Sequence, residues 1–381
     1  MRYVLKSKPR RVLMSADTVG GVWTYSLELA RGLARHGTRV FLATMGAELT
    51  RDQMREARSV HNLKILESRF KLEWMDDAWH DVRAAGDWLL GLEREYAPNL
   101  VHLNGYSHAA LPWKAPVLVA AHSCVCSWWL AVKGEEAPAA WDTYREHVRN
   151  GLAAANMVIA PSEAMLSSLE QHYGPFANGR VIPNGLDGPH ASTHGKEPII
   201  FSAGRLWDEA KNVSLLTAIA DELPWPVYIA GETRQPEGET RQFPNVTHLG
   251  RLSSRELAPW FAKASICALP ARYEPFGLSA LEAALAECAL VLGDIPSLRE
   301  IWNDAAVYVS PSDPEHLKKE LRDLIADSER RREMAARARE RAGHYAGERM
   351  TVGHLEAYSE LLHRTSVVPD PDAEEVSVCA S

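Results

Sequence analysis

Short apolar runs alternate with longer segments in which apolar residues recur every three or four positions, along nearly the whole chain. The short runs predict strands and the longer segments helices, and their regular alternation predicts parallel sheets with crossover helices. In the first half, strands are expected at Arg11 to Ser15, Arg39 to Ala43, Leu63 to Leu66, Asn99 to Leu103, Val117 to Ala120 and Met157 to Ala160. In the second half they are expected at Ile199 to Ala203, Val227 to Ala230, Val246 to Leu249, Ile266 to Leu269, Ala289 to Leu292 and Ala306 to Val309. The helix after the first strand is the plainest: Val22, Leu29, Leu33 and Ala34 fall on one face, and Gly37 follows as a stop.

Between the two series, residues 187–198 are rich in Gly, Pro and polar side chains and have no hydrophobic period, which predicts a linker with a cleft beside it. The expected fold class is therefore α/β, with two Rossmann-like, doubly wound domains facing a cleft: 1–187 and 196–343. Residues 314–343 intersperse Arg and Glu on helical spacing, as solvated helix surfaces do. From 366 to 381 the chain is acidic, contains two prolines and has little apolar content, which predicts a disordered tail.

A length of 381 residues agrees with two domains at roughly 150 residues each. With 46% apolar and 24% charged residues the composition is that of a globular protein. A net charge of −8 argues against nucleic acid as the main partner, since a phosphate backbone is bound through clustered Lys and Arg. Five cysteines without a C-x-x-C pair predict reduced, mostly buried thiols and a cytoplasmic location; Cys124-x-Cys126 alone is a weak metal signal. No apolar run reaches the ~18 residues of a membrane span. The basic leader (Arg2, Lys6, Lys8, Arg10, Arg11) runs into a short strand ending at polar Ser15 and Asp17, unlike a secretory signal. It is a solvated approach to that strand, or a weak membrane-surface patch.

The most informative segment is Glu274-Pro-Phe-Gly-Leu-Ser-Ala-Leu-Glu282, which follows an apolar run and opens an Ala/Leu-rich helix. Glu274 falls on the loop and Glu282 one helical turn in. Main-chain N–H groups of Phe276, Gly277 and Leu278 are spare donors at the helix start, suited to sugar oxygens or phosphate, and the flanking carboxylates accept from hydroxyls. Arg205 and Lys211 follow another strand six residues apart. They could hold a diphosphate by charge-assisted hydrogen bonds, or pair at the surface with Asp208 and Glu209. With no acidic cluster nearby, these cations would serve in place of a metal ion.

Gly20 and Gly21, at the turn into the first helix, allow close backbone approach to a ligand or merely a tight turn. His122 comes straight after a strand, where residues of an open α/β sheet face the ligand crevice, although a lone histidine is often structural. Trp23, Trp128 and Trp129 offer faces to an acceptor sugar or aromatic group, or else pack in the core.

In order and spacing, Gly20-Gly21, Ala160-Pro-Ser162, Ile182-Pro-Asn-Gly-Leu-Asp187, Gly204-Arg205, Glu274 to Glu282 and Asp294-Ile-Pro-Ser-Leu-Arg-Glu300 resemble the retaining glycosyltransferases of family 4, which have the GT-B fold. The resemblance implies an acceptor-binding first domain, a nucleotide-sugar-binding second domain and a C-terminal helix, residues 344–363, crossing back to the first. It assigns Arg205 and Lys211 to the donor diphosphate, Glu282 to the ribose, and Glu274 with the amides of Phe276, Gly277 and Leu278 to the transferred sugar. Gly20 and Gly21 would face the phosphate from the opposite wall, and His122 would contact the sugar. The implied reaction moves a hexose from a nucleoside diphosphate sugar to a hydroxyl with retained configuration, using no metal and no cofactor beyond the donor. Arg205, Lys211, His122 and Glu274 are the expected catalytic set. A nucleotide-sugar 2-epimerase, of a class that resembles the same two-domain architecture, and a non-catalytic nucleotide-sugar-binding subunit remain alternatives.

Overall fold

Arg11–Asp17 (β1) carries an unbroken buried stretch, Val12 to Ala16, and a strand buried on both faces belongs in the middle of a parallel sheet. A computed structural model, which describes residues 8–187, 195–235, 238 and 240–367, places it there. Beside it run Arg39–Met45 (β2), Leu63–Glu67 (β3), Leu100–Leu103 (β4), Val117–Ala120 (β5), Met157–Ala160 (β6) and Gly179–Val181 (β7). All neighbours are parallel, in the order β3-β2-β1-β4-β5-β6-β7. The second sheet contains Glu197–Ala203 (β8), Val227–Ala230 (β9), Thr247–His248 (β10), Ala264–Leu269 (β11), Ala289–Gly293 (β12) and Val307–Val309 (β13). Its order, β10-β9-β8-β11-β12-β13, repeats the winding of the first.

Every expected strand is present, within a few residues. β7 is the addition: its three residues lie at the sheet edge, exposed or half-buried, so no apolar run marks it. In both sheets the strand order reverses beside the first strand, between β1 and β4 and between β8 and β11. Such switch points open a crevice at the carboxyl ends of the strands.

The helix Gly21–Arg35 is buried on more than the expected face. Leu29 and Leu33 are fully buried and Val22 and Ala34 only half-buried, while Trp23, Tyr25, Ser26, Leu27, Ala30 and Gly32 are also covered. The cause is the C-terminal helix Gly347–Val367, whose Met350, Leu355, Tyr358 and Leu361 join the core of the first sheet. A chain that has just completed the second sheet thus returns to the first. The two helices cross at Gly32, where an added Cβ would lie 1.8 Å from Thr351 Oγ1. Thr351 cannot readily swing away, because its hydroxyl donates to Gly347 O at 2.8 Å inside its own helix.

The charged segment 314–343 forms two helices, Pro314–Ala326 and Ser328–Ala342. Only their outer faces are solvated; Leu317, Leu321, Leu324, Ala338 and Ala342 are fully buried. The four described cysteines are buried and unpaired. No helix among the described residues is long and apolar enough to cross a membrane. Residues 188–194 of the linker and 368–381 of the acidic tail lie outside the described residues.

Gly32→Ala should lower stability by ~1–3 kcal/mol, the usual cost of forcing extra volume into a packed contact. A chemical or thermal melt of the two proteins measures it, and Thr351→Gly should return part of the loss.

Candidate active site

The two switch points face each other across one cleft of about 1520 Å³, and every candidate residue of the sequence reading lines it. From the end of β1, Asp17 Oδ1 accepts from the N–H groups of Val19 and Gly20 at 3.0 and 3.1 Å, folding the loop tightly before the first helix. Burial pushes the Asp17 carboxyl up, against the pull of Arg205 and those two amides. Gly20 stands opposite Arg205 of the second sheet, and a Cβ there would lie 3.0 Å from Arg205 Nη1. Glycine is used here for close approach, since its φ of −148° is ordinary extended backbone.

Arg205 leaves the end of β8 and donates from Nη2 to Asp208 Oδ2 at 3.0 Å, while its Nε is buried without a partner. Burial alone would raise Asp208, but Arg205, Lys211 and the Trp128 N–H hold it below the usual carboxylate range. Lys211 reaches across to Glu274, with both side chains about four-fifths buried (18% and 20% exposed). Of the alternative surface pairings, Arg205 does meet Asp208, but that carboxylate is buried (5% exposed), and Lys211 pairs with Glu274 and not with Glu209. Glu209 is occupied instead by Lys133 at 2.6 Å and Arg241 at 3.0 Å.

The loop after β11 is pinned by Ser297 Oγ, which donates to Glu274 O at 2.6 Å. Phe276 turns its ring into the core, edge-on to Tyr345 at 5.4 Å, leaving its main chain to the cleft. Its N–H points at Glu274 Oε1 at a long 3.5 Å. The helix then starts at Leu278, and Glu282 lies on its second turn. Burial first, then the nearby charges of Glu28 and Glu56, push the Glu282 carboxyl up to about 7.

At the end of β5, His122 Nε2 meets Asn104 Oδ1 at 2.8 Å, and the ring stands edge-on to Tyr25 at 4.4 Å. Asn104 uses its amide hydrogens on Ser15 O at 2.6 Å and Ser26 Oγ at 3.3 Å, so Oδ1 is its acceptor. His122 therefore carries its proton on Nε2, leaving Nδ1 as an acceptor. Burial, then the neighbouring His354, depress its pKa to about 3, so the ring is neutral. Behind it, Tyr25 hydrogen-bonds His354 Nε2 at 2.6 Å, and His354 Nδ1 donates to Met350 O at 2.7 Å. His102 Nε2 shares Asn104 Oδ1 at 3.2 Å and His102 Nδ1 meets Tyr358 Oη at 2.6 Å. Sequence reasoning missed Asn104, Tyr25 and His354; the signal for Asn104 was its place after β4, beside the switch point.

The three tryptophans behave differently. Trp23 is 4% exposed with Nε1 on Glu56 Oε2 at 3.1 Å, so it is a packed wall residue and offers no open face. Trp128 donates from Nε1 to Asp208 Oδ1 at 2.9 Å, joining the two halves, and stands edge-on to half-buried Trp129 at 5.9 Å. Trp74, Trp141 and Trp207 line the same cleft and were not singled out from sequence. Further links cross between the halves: Ser162 Oγ donates to Pro275 O at 2.8 Å, and the Glu300 carboxylate accepts from the Glu163 and Ala164 amides at 2.8 and 2.9 Å. Among the described residues, no three His, Cys, Asp or Glu side chains gather as a metal-holding set.

Two family models divide the chain between them: Glycosyltransferase Family 4 matches residues 19–188 and Glycosyl transferases group 1 matches residues 189–341. A glycogen synthase of Mycobacterium tuberculosis is 26% identical over 66% of each protein, just under two thirds of that relative's length. A D-inositol 3-phosphate glycosyltransferase of Xylanimonas cellulosilytica is 24% identical, over 93% of this chain and 98% of its own. Among solved structures, Anabaena HepE in complex with UDP-glucose superposes with a TM-score of 0.73 at 15% identity, covering 92% of this chain and 99% of its own. With two parallel sheets wound alike, facing switch points and models matching both halves, the chain belongs to the family 4, group 1 glycosyltransferases and has the GT-B fold.

Proposed function

We propose that the protein transfers a hexose, with retention of configuration, from a nucleoside diphosphate sugar to a hydroxyl of an acceptor, and that it needs no metal ion. The observation that carries this reading is the placement of Arg205 and Lys211, from one sheet, across the cleft from the Gly20 turn and His122 of the other. The guanidinium lies against the Gly20 turn, so a diphosphate would sit alongside this contact, meeting both cations with no side chain of the turn in its way. HepE, of the same fold, is known with UDP-glucose, which supports the same class of donor here.

In this reading Glu282 accepts from the ribose hydroxyls, and Glu274 and the amides from Phe276 to Leu278 face the sugar. His122, held by Asn104, presents Nδ1 to a sugar hydroxyl. The bond from the anomeric carbon to the β-phosphate oxygen breaks, and its electron pair stays on that oxygen. The acceptor oxygen bonds the same carbon from the same face, and its proton passes to the departing phosphate oxygen. Negative charge on the diphosphate grows as the bond breaks, so Arg205 and Lys211 stabilise the transition state more than the bound donor. Pairing with Asp208 and Glu274 holds them in place beforehand. Domain roles follow: the second sheet holds the donor and the first the acceptor.

Lys211→Ala should reduce turnover by ~10²–10³-fold while the melting temperature stays near wild type. The assay is release of nucleoside diphosphate in the presence of acceptor, which also separates transfer from epimerisation, where the nucleotide stays attached. Near-normal release would remove Lys211 from the chemistry.

The raised Glu282 carboxyl gives a pH dependence with a definite sign. Ribose hydroxyls bind the ionised form, so a carboxyl with a pKa of about 7 must lose its proton on donor binding. Donor affinity should therefore rise as pH goes from 6 to 8, by up to about tenfold. Titration calorimetry with the nucleotide sugar, whose diphosphate diester does not titrate in this range, measures it. Glu282→Gln should bind more weakly and without that slope.

A further inference from the structure

Six of the chain's twelve tryptophans line the cleft. Trp23 belongs to the core, but Trp74, Trp128, Trp129, Trp141 and Trp207 stay half-buried around it. They come from both halves of the molecule: Trp74, of the first, stacks at 6.4 Å and 24° on Trp207, of the second. Trp129 and Trp141 rest on the core cluster that contains Cys124 and Tyr144, which fixes where their rings stand. Interior packing does not require half-buried indoles at a cavity wall, and a rigid amphipathic ring at such a wall is suited to contact with a ligand.

The charge around this wall restricts what the ligand can be. On the first-sheet side, the carboxylates of Glu48, Glu73, Asp76 and Asp81 outnumber the two cations, Arg69 and Lys71. Arg69 is paired with Glu48, and Lys71 Nζ donates to Asp76 O at 2.9 Å. Lys133 and Arg205 stand over the rings of Trp128 and Trp207 at 5.7 and 5.5 Å but are paired with Glu209 and Asp208, so an acceptor bearing phosphate would meet an excess of carboxylates on the first-sheet side. A wholly apolar acceptor would strip water from these carboxylates and from His122 and give nothing back. A sugar ring answers both demands, with its C–H face laid on indole and its hydroxyls donated to oxygen and imidazole acceptors.

We infer that the acceptor is an unphosphorylated saccharide, seated against the tryptophan wall next to His122. This rests on the transferase reading above, and it names the substrate class that reading leaves open. The wall is a binding surface; the tryptophans position the acceptor and take no part in bond making.

The test uses the full chain and the nucleotide sugar that gives the largest thermal shift. Glucose, mannose, maltose and myo-inositol are offered as neutral acceptors, glucose 6-phosphate and inositol 1-phosphate as anionic ones, and p-nitrophenol and n-decanol as apolar ones. At least one neutral saccharide should be glycosylated, with every phosphorylated counterpart slower by about tenfold or more. Trp129→Ala and Trp141→Ala should each raise the acceptor KM about tenfold and leave the donor KM unchanged. Trp129→Phe and Trp141→Phe, which keep a packing ring, should fall between. Preference for phosphorylated or apolar acceptors would overturn the inference, as would an unchanged acceptor KM in both alanine variants. Donor hydrolysis without acceptor reads the underlying function separately. Hydrolysis with no use of any saccharide sinks the acceptor class alone, and absence of hydrolysis and transfer alike sinks the transferase reading with it.

Discussion

Arg205 sits where two independently wound sheets meet, and it lies close against a turn that carries no side chain. A Cβ on Gly20 would lie 3.0 Å from the guanidinium and press it aside, so the absence of a side chain on this turn lets the two sheets approach as they do. The other local arrangements follow from that approach. Asp17 curls the turn by accepting two of its amides, Asp208 anchors the guanidinium, and Trp128 fastens Asp208 from the opposite half. Lys211 and Glu274 form a second pair alongside. The site is thus nearly neutralised within itself, which lets two cations sit mostly buried without the large penalty of unpaired charge. In the proposed reaction, a diphosphate entering it would add its charge to cations already oriented, and little would have to reorganise as that charge grows.

The opposite wall is held by hydrogen bonds between neutral groups. Burial drives the pKa values of His102, His122 and His354 all downward, so none competes for charge with the cation pair. Their protons are placed instead by fixed partners: Met350 O for His354 and Asn104 Oδ1 for His122. His354 lies on the C-terminal helix, the same element that locks onto the first helix at Gly32. The helix that ties the second half of the chain back to the first therefore also lies directly behind the histidine facing the cleft.

Much of this was legible locally. Parallel strands covered on both faces leave apolar runs, and a strand followed by Gly or a charged residue at a switch point marks a crevice; β1, β8, Gly20, Arg205 and Glu274 were all found in this way. β7 was not, because an edge strand buries too little to leave a run. Glu282 could be placed on its helix, but its raised pKa depends on Glu28 and Glu56, more than 200 residues earlier in sequence. Tyr25 and His354 escaped for the same reason, being 329 positions apart, whereas Asn104 lies 18 positions from His122 and its signal was its place after β4. The tryptophans show the limit from both sides. Trp23 looked available and is packed, whereas Trp74, Trp141 and Trp207 gave no local signal and line the cleft.

If the guanidinium at the meeting point of the sheets stabilises the departing diphosphate, its removal must slow the chemical step itself. The direct measurement is the single-turnover rate of Arg205→Ala at saturating donor and acceptor, beside donor affinity measured by calorimetry. A fall of ~10²–10³-fold in that rate is expected, beyond any weakening of donor binding. A variant that binds donor poorly yet turns over at the wild-type rate once saturated would contradict it, because Arg205 would then be holding the substrate and not the transition state.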